Sequence, residues 1–370
     1  MKKLGYIILA IMTAMLTFSC DFRPLEKIGN THYVRVYIDE HILNLTEGFY
    51  NQDYARPGYR RPEVMKVVLA DPDDGRVVAE KYLRSQGDDE HGHYYDGYII
   101  CDPGKWNMMA WNFDTEATRI SSPSNIYEAG AYTSGIASHL YGALWSRTKG
   151  LKGVIDGTKS DGSTLDGSKA EFDFSGEKIA YEPDHLFVAK EDGVSIGYTG
   201  SIDTLRTSSG SYFRAESIVE TWFIQVNITG VSRLSSSNML LSGMSGSKRL
   251  IDGELDRENP VTVYFEMNAN AVTDAGKDTG VLYSTFSTFG KLPDGKNMFN
   301  VSFDMTTKAG KAVSATFDIT DEFDKDNAKK HRWIILDRSI LIPESEPGGQ
   351  GGGFSPGVRD WNDVNTDLTI

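Results

Sequence analysis

The sequence predicts an all-β protein built as two tandem β-sandwich domains with one or two short helices. Three observations carry that prediction. Apolar and polar residues alternate with period two along most of the chain. The alternating segments are bounded by Gly, Pro, Asn and Asp turn residues. Short strands spaced by 8–20 residues over 370 residues fit two sandwiches in spacing and in length.

The first domain is expected over residues 31–206. Tyr33-Val34-Arg35-Val36-Tyr37-Ile38 is its first strand. Glu63 to Ala70 and Arg76 to Leu83 flank Asp73-Asp74-Gly75, a hairpin turn. Tyr94 to Cys101 and Lys105 to Phe113 flank Asp102-Pro103-Gly104, a second turn. Ser134 is placed to cap a short helix with Ile136, Leu140, Ala143 and Leu144 on one face. Residues 148–169 form a polar loop in which Asp-Gly recurs every five residues, without the ligand set of an EF-hand. Strand patterns resume at Lys178 to Tyr181, His185 to Lys190 and Val194 to Tyr198. Thr207-Ser208-Ser209-Gly210-Ser211 reads as the junction.

The second domain is expected over 207–343, with strands at Phe213 to Thr229, Val261 to Met267, Val281 to Phe289, Asn297 to Thr307, Ala312 to Thr320 and Trp333 to Ile342. Residues 344–357 are a flexible linker containing six Gly. Residues 358–370 then carry Trp361, Val364, Leu368 and Ile370. The last three share one parity and so one face of a strand. Fully extended, the 15 residues Pro343 to Gly357 reach at most about 50 Å, so this strand can pair locally or on a neighbour.

The N-terminus reads as a secretory signal over 1–19. Lys2 and Lys3 precede an uncharged run, Leu4 to Phe18, too short to span a bilayer. The run ends at Leu16-Thr17-Phe18-Ser19-Cys20, which is similar to a bacterial lipobox, although Thr17 departs from it. Cys20 is therefore the expected lipidation site, followed by a linker over 20–30. Removing Lys2 and Lys3 takes the formal charge from −14 to −16. That balance excludes nucleic acid, which needs a basic face. Of two cysteines, only Cys101 then remains, in an apolar run where it serves as a small buried hydrophobe.

No catalytic constellation is legible, so no enzymatic activity, metal or cofactor is expected. Asp88-Asp89-Glu90-His91-Gly92-His93 has chelate spacing, but reads as a solvated loop between Leu83 and Tyr94. Gly243 to Arg249 fails both the nucleophile-elbow and the P-loop spacing and reads as a turn with a basic exit. Asp321, Glu322, Asp324 and Asp326 read as a solvated loop. Tyr94, Tyr95, Trp106, Trp111, Tyr127 and Tyr132 are read mostly as core, with sugar stacking as the competing use.

Several segments together resemble the fimbrillin-like lipoproteins of Bacteroidetes, which include fimbrial anchor proteins. They are Cys20 to Leu25, Tyr33 to Glu40, Asp102 to Trp106, Glu182 to Ala189, Leu241 to Gly246, Asn259 to Tyr264, Ile334 to Asp337 and Ile340 to Pro343. The resemblance implies two transthyretin-like, Greek-key sandwich domains and a structural, anchor or accessory role in a type V pilus. It implies other fimbrial subunits as partners and strand donation as the joint. An Arg-specific protease removes the N-terminal strand of polymerising subunits in that family, making Arg23 and Arg35 the candidate maturation sites. Outer-membrane attachment would run through lipid on Cys20. The alternative is a glycan-binding surface lipoprotein of a polysaccharide-uptake system, contacting host or bacterial glycan or protein through exposed aromatics.

Overall fold

The computed structural model describes residues 30–40, 61–113, 115–135, 177–197, 202–274, 277–305 and 312–342. The expected helix after Ser134, the Asp-Gly loop, Cys20, Arg23 and residues 343–370 lie outside them. The strands are β1 (Thr31–Asp39), β2 (Val64–Ala70), β3 (Val77–Asp89), β4 (Gly92–Ile100), β5 (Gly104–Asn112), β6 (Thr118–Ser121) and β7 (Gly130–Thr133). There follow β8 (Lys178–Tyr181), β9 (Phe187–Ile196), β10 (Asp203–Thr204), β11 (Phe213–Ser217), β12 (Glu220–Thr229), β13 (Leu234–Ser245) and β14 (Ser247–Arg249). The last are β15 (Pro260–Glu266), β16 (Asn268–Asp274), β17 (Lys277–Thr288), β18 (Met298–Met305), β19 (Ala312–Asp318) and β20 (Trp333–Leu341). One short helix, α1 (Asp326–His331), precedes β20. The chain is all-β, as its alternation predicts.

In the first unit the hydrogen bonding closes on itself. The order β1-β11-β9-β5-β2-β3-β4 returns to β1, giving a seven-stranded barrel. Two pairings of β1 make the closure: antiparallel to β4 and parallel to β11. Val34, Val36, Met65, Val67, Leu69, Ile99, Phe187 and Phe213 fill the interior, as period two requires. Cys101 joins this cluster at 7% exposure, and burial raises its thiol to about 11, with Asp102 nearby.

The second unit is a sandwich. Sheet β16-β17-β12-β20 faces sheet β19-β18-β13-β15-β8. Both contribute to one core containing Ile224, Val226, Phe286, Met239, Phe265 and Phe299. Phe265 stacks on Phe286 at 4.6 Å.

The seam differs from the expected junction at 206/207. Residues 207–211 form a tight turn closed by Thr207 N–H to Ser211 O, and β11 beyond it belongs to the barrel. The units also exchange strands. β8 pairs with β15, and β14 pairs with β7. A shared apolar layer holds Trp111, Leu186 and Val188 against Val219, Leu250 and Phe289. Such long-range pairings leave no local signature.

Other loop readings change as well. The 88–93 segment is a hairpin: β3 and β4 pair up to Asp89 and Gly92. His93 is buried and shares a 2.9 Å bond with Ser85 Oγ. Among the described residues no cluster of His, Cys, Asp and Glu has metal-site geometry. In place of an acidic loop near 321–326 there is a 3-10 turn leading into α1, anchored by buried Phe323 and Ala328.

Candidate functional site

β1 is the element on which the maturation reading turns. Its sequence THYVRVYID sends His32, Val34, Val36 and Ile38 inward and Thr31, Tyr33, Arg35 and Asp39 outward. Both edges are hydrogen-bonded over most of its length. Thr31–Tyr37 pair with β4, His32–Tyr33 with β10 and Val36–Asp39 with β11.

Arg35 lies mid-strand within a polar network. Its Nε donates to Tyr33 Oη at 3.0 Å. Its Nη1 donates to Tyr37 Oη at 3.2 Å and to Asp89 Oδ2 at 3.1 Å. The hydroxyls pass the bonds on: Tyr33 donates to Asp96 at 2.6 Å and Tyr37 to Asp89 at 2.8 Å. The guanidinium carbon stands 4.1 Å from the Tyr94 ring centre and 5.2 Å from that of Tyr212. Only 21% of the side chain is exposed.

The electrostatics are consistent. Burial, helped by the Asp96 carboxylate, pushes the Tyr33 phenol up to about 12. Burial also raises Tyr37. Asp89 is held low: partial desolvation opposes this, but the His91 N–H, the Tyr37 hydroxyl and Arg35 outweigh it. Arg35 is raised although burial pulls against it, because the Tyr37 and Tyr33 hydroxyls accept its protons. A protease must draw several residues on each side of a scissile bond into an extended, unpaired conformation. At Arg35 that would break two ladders and this network together.

Three further groups at the seam carried no sequence signal. Asp184 Oδ2 accepts the N–H groups of Glu116, Ala117 and Thr118 at 2.8, 2.6 and 2.9 Å. Lys248, read from sequence as a basic exit, instead turns inward and donates to Ile218 O at 3.0 Å and Phe289 O at 3.2 Å; burial lowers its pKa. Glu182 accepts Ser287 N–H at 2.9 Å, linking the approach to β9 with β17. Burial raises this carboxyl to about 7; the Ser287 N–H lowers it and the Asp184 charge raises it.

The Glu182 shift has a measurable consequence. The folded state holds the Glu182 proton more tightly than the unfolded chain. Its contribution is therefore lost as pH rises from 4.5 to about 7, and stays lost above. Glu182→Gln keeps an acceptor for Ser287 without a charge. It is expected to stabilise the protein by about 3 kcal/mol at pH 8 and by little at pH 4. Urea unfolding at the two pH values measures this; equal effects at both would refute the assignment.

The aromatic residues divide. Tyr95 and Trp111 are buried, at 0% and 1% exposure, and Trp106 packs partly against the barrel core. Trp106 and Trp111 therefore do not form an exposed platform. Among the tyrosines, Tyr132 is exposed and Tyr94 and Tyr127 are intermediate.

No family model matches the chain, and no curated protein matches it. Solved structures do. The chain is similar to fimbrial and adhesin proteins of Bacteroidetes. A proposed adhesin of Bacteroides ovatus aligns over 89% of this chain and 99% of its own, at 18% identity and a TM-score of 0.48. A fimbrial anchor protein of Porphyromonas gingivalis aligns over 84% and 90%, at 13% identity and 0.43. A tip fimbrial protein of the same organism, with a C-terminal truncation, aligns over 78% and 81%, at 11% identity and 0.29.

Proposed function

We propose that the chain is a surface-exposed lipoprotein of the outer membrane that serves as a structural, anchor or accessory subunit of a type V fimbria. It has no enzymatic role. Its two units are read as tandem transthyretin-like domains, the first running through β11. Lipid on Cys20 holds the base, and residues 358–370 supply the strand donated to another subunit by backbone pairing. The role is the one borne by the Porphyromonas gingivalis anchor protein, and the adhesin named above suggests a surface setting of the same kind.

One observation in the chain itself carries the anchor form of this reading. β1 is paired on both edges and Arg35 is enclosed, so the N-terminal strand stays in the barrel and the lipid site eleven residues upstream stays attached to it. The glycan-binding alternative lacks its Trp106–Trp111 platform.

Deleting residues 358–370 tests the donor strand. The truncated protein is expected to keep its melting temperature and to lose co-purification with other fimbrial subunits. Undiminished co-purification would remove strand donation by this segment.

A further inference from the structure

The barrel wall is split between β3 and β4. Their ladder begins at the Asp89–Gly92 turn and stops at Arg84 opposite Asp96. Beyond that point the strands diverge. Val78–Leu83 of β3 face only β2, and Gly97–Ile100 of β4 pair only with β1. Two strand edges therefore face each other across a wedge. Among the described residues no backbone bond reaches Val78–Leu83 or Gly97–Ile100 from elsewhere. Leu83 closes the apex, where a Cβ on Gly97 would stand 2.9 Å from Leu83 Cδ2.

The apolar surface collects at the same place. Nine large hydrophobic side chains are exposed among the described residues, and Val78, Tyr82, Tyr98 and Ile100 line the two edges. Phe113, a fifth, packs on Tyr82 at 5.1 Å. Among the described residues the free edges of the second unit gather no such group: Leu341 on β20 and Tyr181 on β8 stand singly. Unpaired edges with apolar side chains are a liability unless something pairs with them.

We propose that this split is a strand-acceptor site, filled by residues 358–370 of a second copy of the chain. The inference rests on the strand-donation reading. It differs from the acceptor groove that the resemblance implies, which opens only when the N-terminal strand is lost. Here β1 remains in place.

Three features select that occupant. Val364 to Ile370 is long enough to span the free edge Val78–Leu83. Val364, Thr366, Leu368 and Ile370 supply one β-branched or apolar face for the wedge, and Asn365, Asp367 and Thr369 the other. Lys81 and Arg84 are exposed on β3 with no carboxylate partner among the described residues, whereas the segment carries Asp360, Asp363 and Asp367 against a single Arg359.

Chain direction favours a second copy. Ile342, from which the segment departs, bonds to Thr229 at the end of β12. The split opens where β1 begins, whereas β12 leaves the barrel from where β1 ends, beside β11. Donor and acceptor thus lie toward opposite ends of the chain's path, a head-to-tail arrangement that extends rather than closes.

The test uses the full chain from residue 20 carrying Cys20→Ser. Sedimentation is expected to show concentration-dependent self-association. Tyr98→Lys with Ile100→Lys, both at exposed positions, is expected to weaken it by about tenfold or more, which is 1.4 kcal/mol. Tyr132→Lys, exposed elsewhere, is the control. Hydrogen exchange with added peptide 358–370 is expected to slow at Val78–Leu83 and Gly97–Ile100. A monomer at every concentration, association unaffected by the double substitution, or protection only at other edges would each overturn the site. Protection at another edge would do so while leaving strand donation by residues 358–370 standing.

Discussion

A chain that begins at residue 41, without β1, is expected not to fold its first unit. β1 supplies Val34, Val36 and Ile38 to the barrel interior, each at 3% exposure or less. Each such side chain is worth about 1.5–3 kcal/mol on burial. The strand also closes the ladder between β4 and β11, and its removal exposes both partners' edges. Together these losses approach the whole stability of a domain, about 5–15 kcal/mol. Circular dichroism and hydrogen exchange would register the collapse; a truncated chain with an unchanged melting temperature would contradict it.

Proteolysis gives the same element a functional reading. An Arg-specific protease acting on the native chain is expected to leave the Arg35–Val36 bond intact, since Arg35 is pinned by Tyr33, Tyr37 and Asp89. N-terminal sequencing after digestion decides the matter. A new terminus at Val36 on a protein that remains assembled would turn the anchor reading into that of a polymerising subunit.

What the sequence discloses and what it conceals separate by the range of the interaction. The β2–β3 hairpin is legible because Asp73-Asp74-Gly75 encodes its own turn: Gly75 takes φ of 74° and its N–H returns to Asp71 O. Cys101 and Tyr95 are legible as core because period two assigns them a face. Barrel closure is not legible, since the parallel pairing of β1 with β11 joins segments about 175 residues apart and nothing local marks it. The seam hides for the same reason. Lys248 looks like a surface lysine until Ile218 O and Phe289 O, brought from two other strand ends, enclose it. The 88–93 stretch misleads in another way. Its charges suggest a loop, yet ladder bonds from Arg84 to Asp89 and the buried His93, bonded to Ser85, hold it as a hairpin. Of the proposed site residues, Arg35 alone lies among the described residues, and its enclosure follows from Asp89 and Asp96, which its strand neighbours bring to it.

Cys20→Ser is expected to move the protein entirely out of the membrane fraction. Among the described residues no helix is long and apolar enough to cross a bilayer. On the proposed lipoprotein reading, attachment is expected to run through the acyl chains on Cys20. Each buried methylene contributes about 0.8 kcal/mol, and stable anchoring takes more than one chain. Serine accepts neither the thioether nor the processing that depends on it, so the whole term disappears rather than a part of it. The formal charge, −14 for the sequence and more negative on the proposed loss of Lys2 and Lys3, offers no attraction to an anionic lipid surface that would substitute. Ultracentrifugation of cell envelopes, with mass spectrometry of the mature N-terminus, measures both parts of the claim. Wild-type protein is expected in the pellet with an acylated Cys20, and the variant in the supernatant. A variant that still sediments with the envelope would place the anchor elsewhere, in a partner subunit or in a second membrane contact. The retention of β1 would then concern the barrel's stability and no longer the attachment of the fimbria.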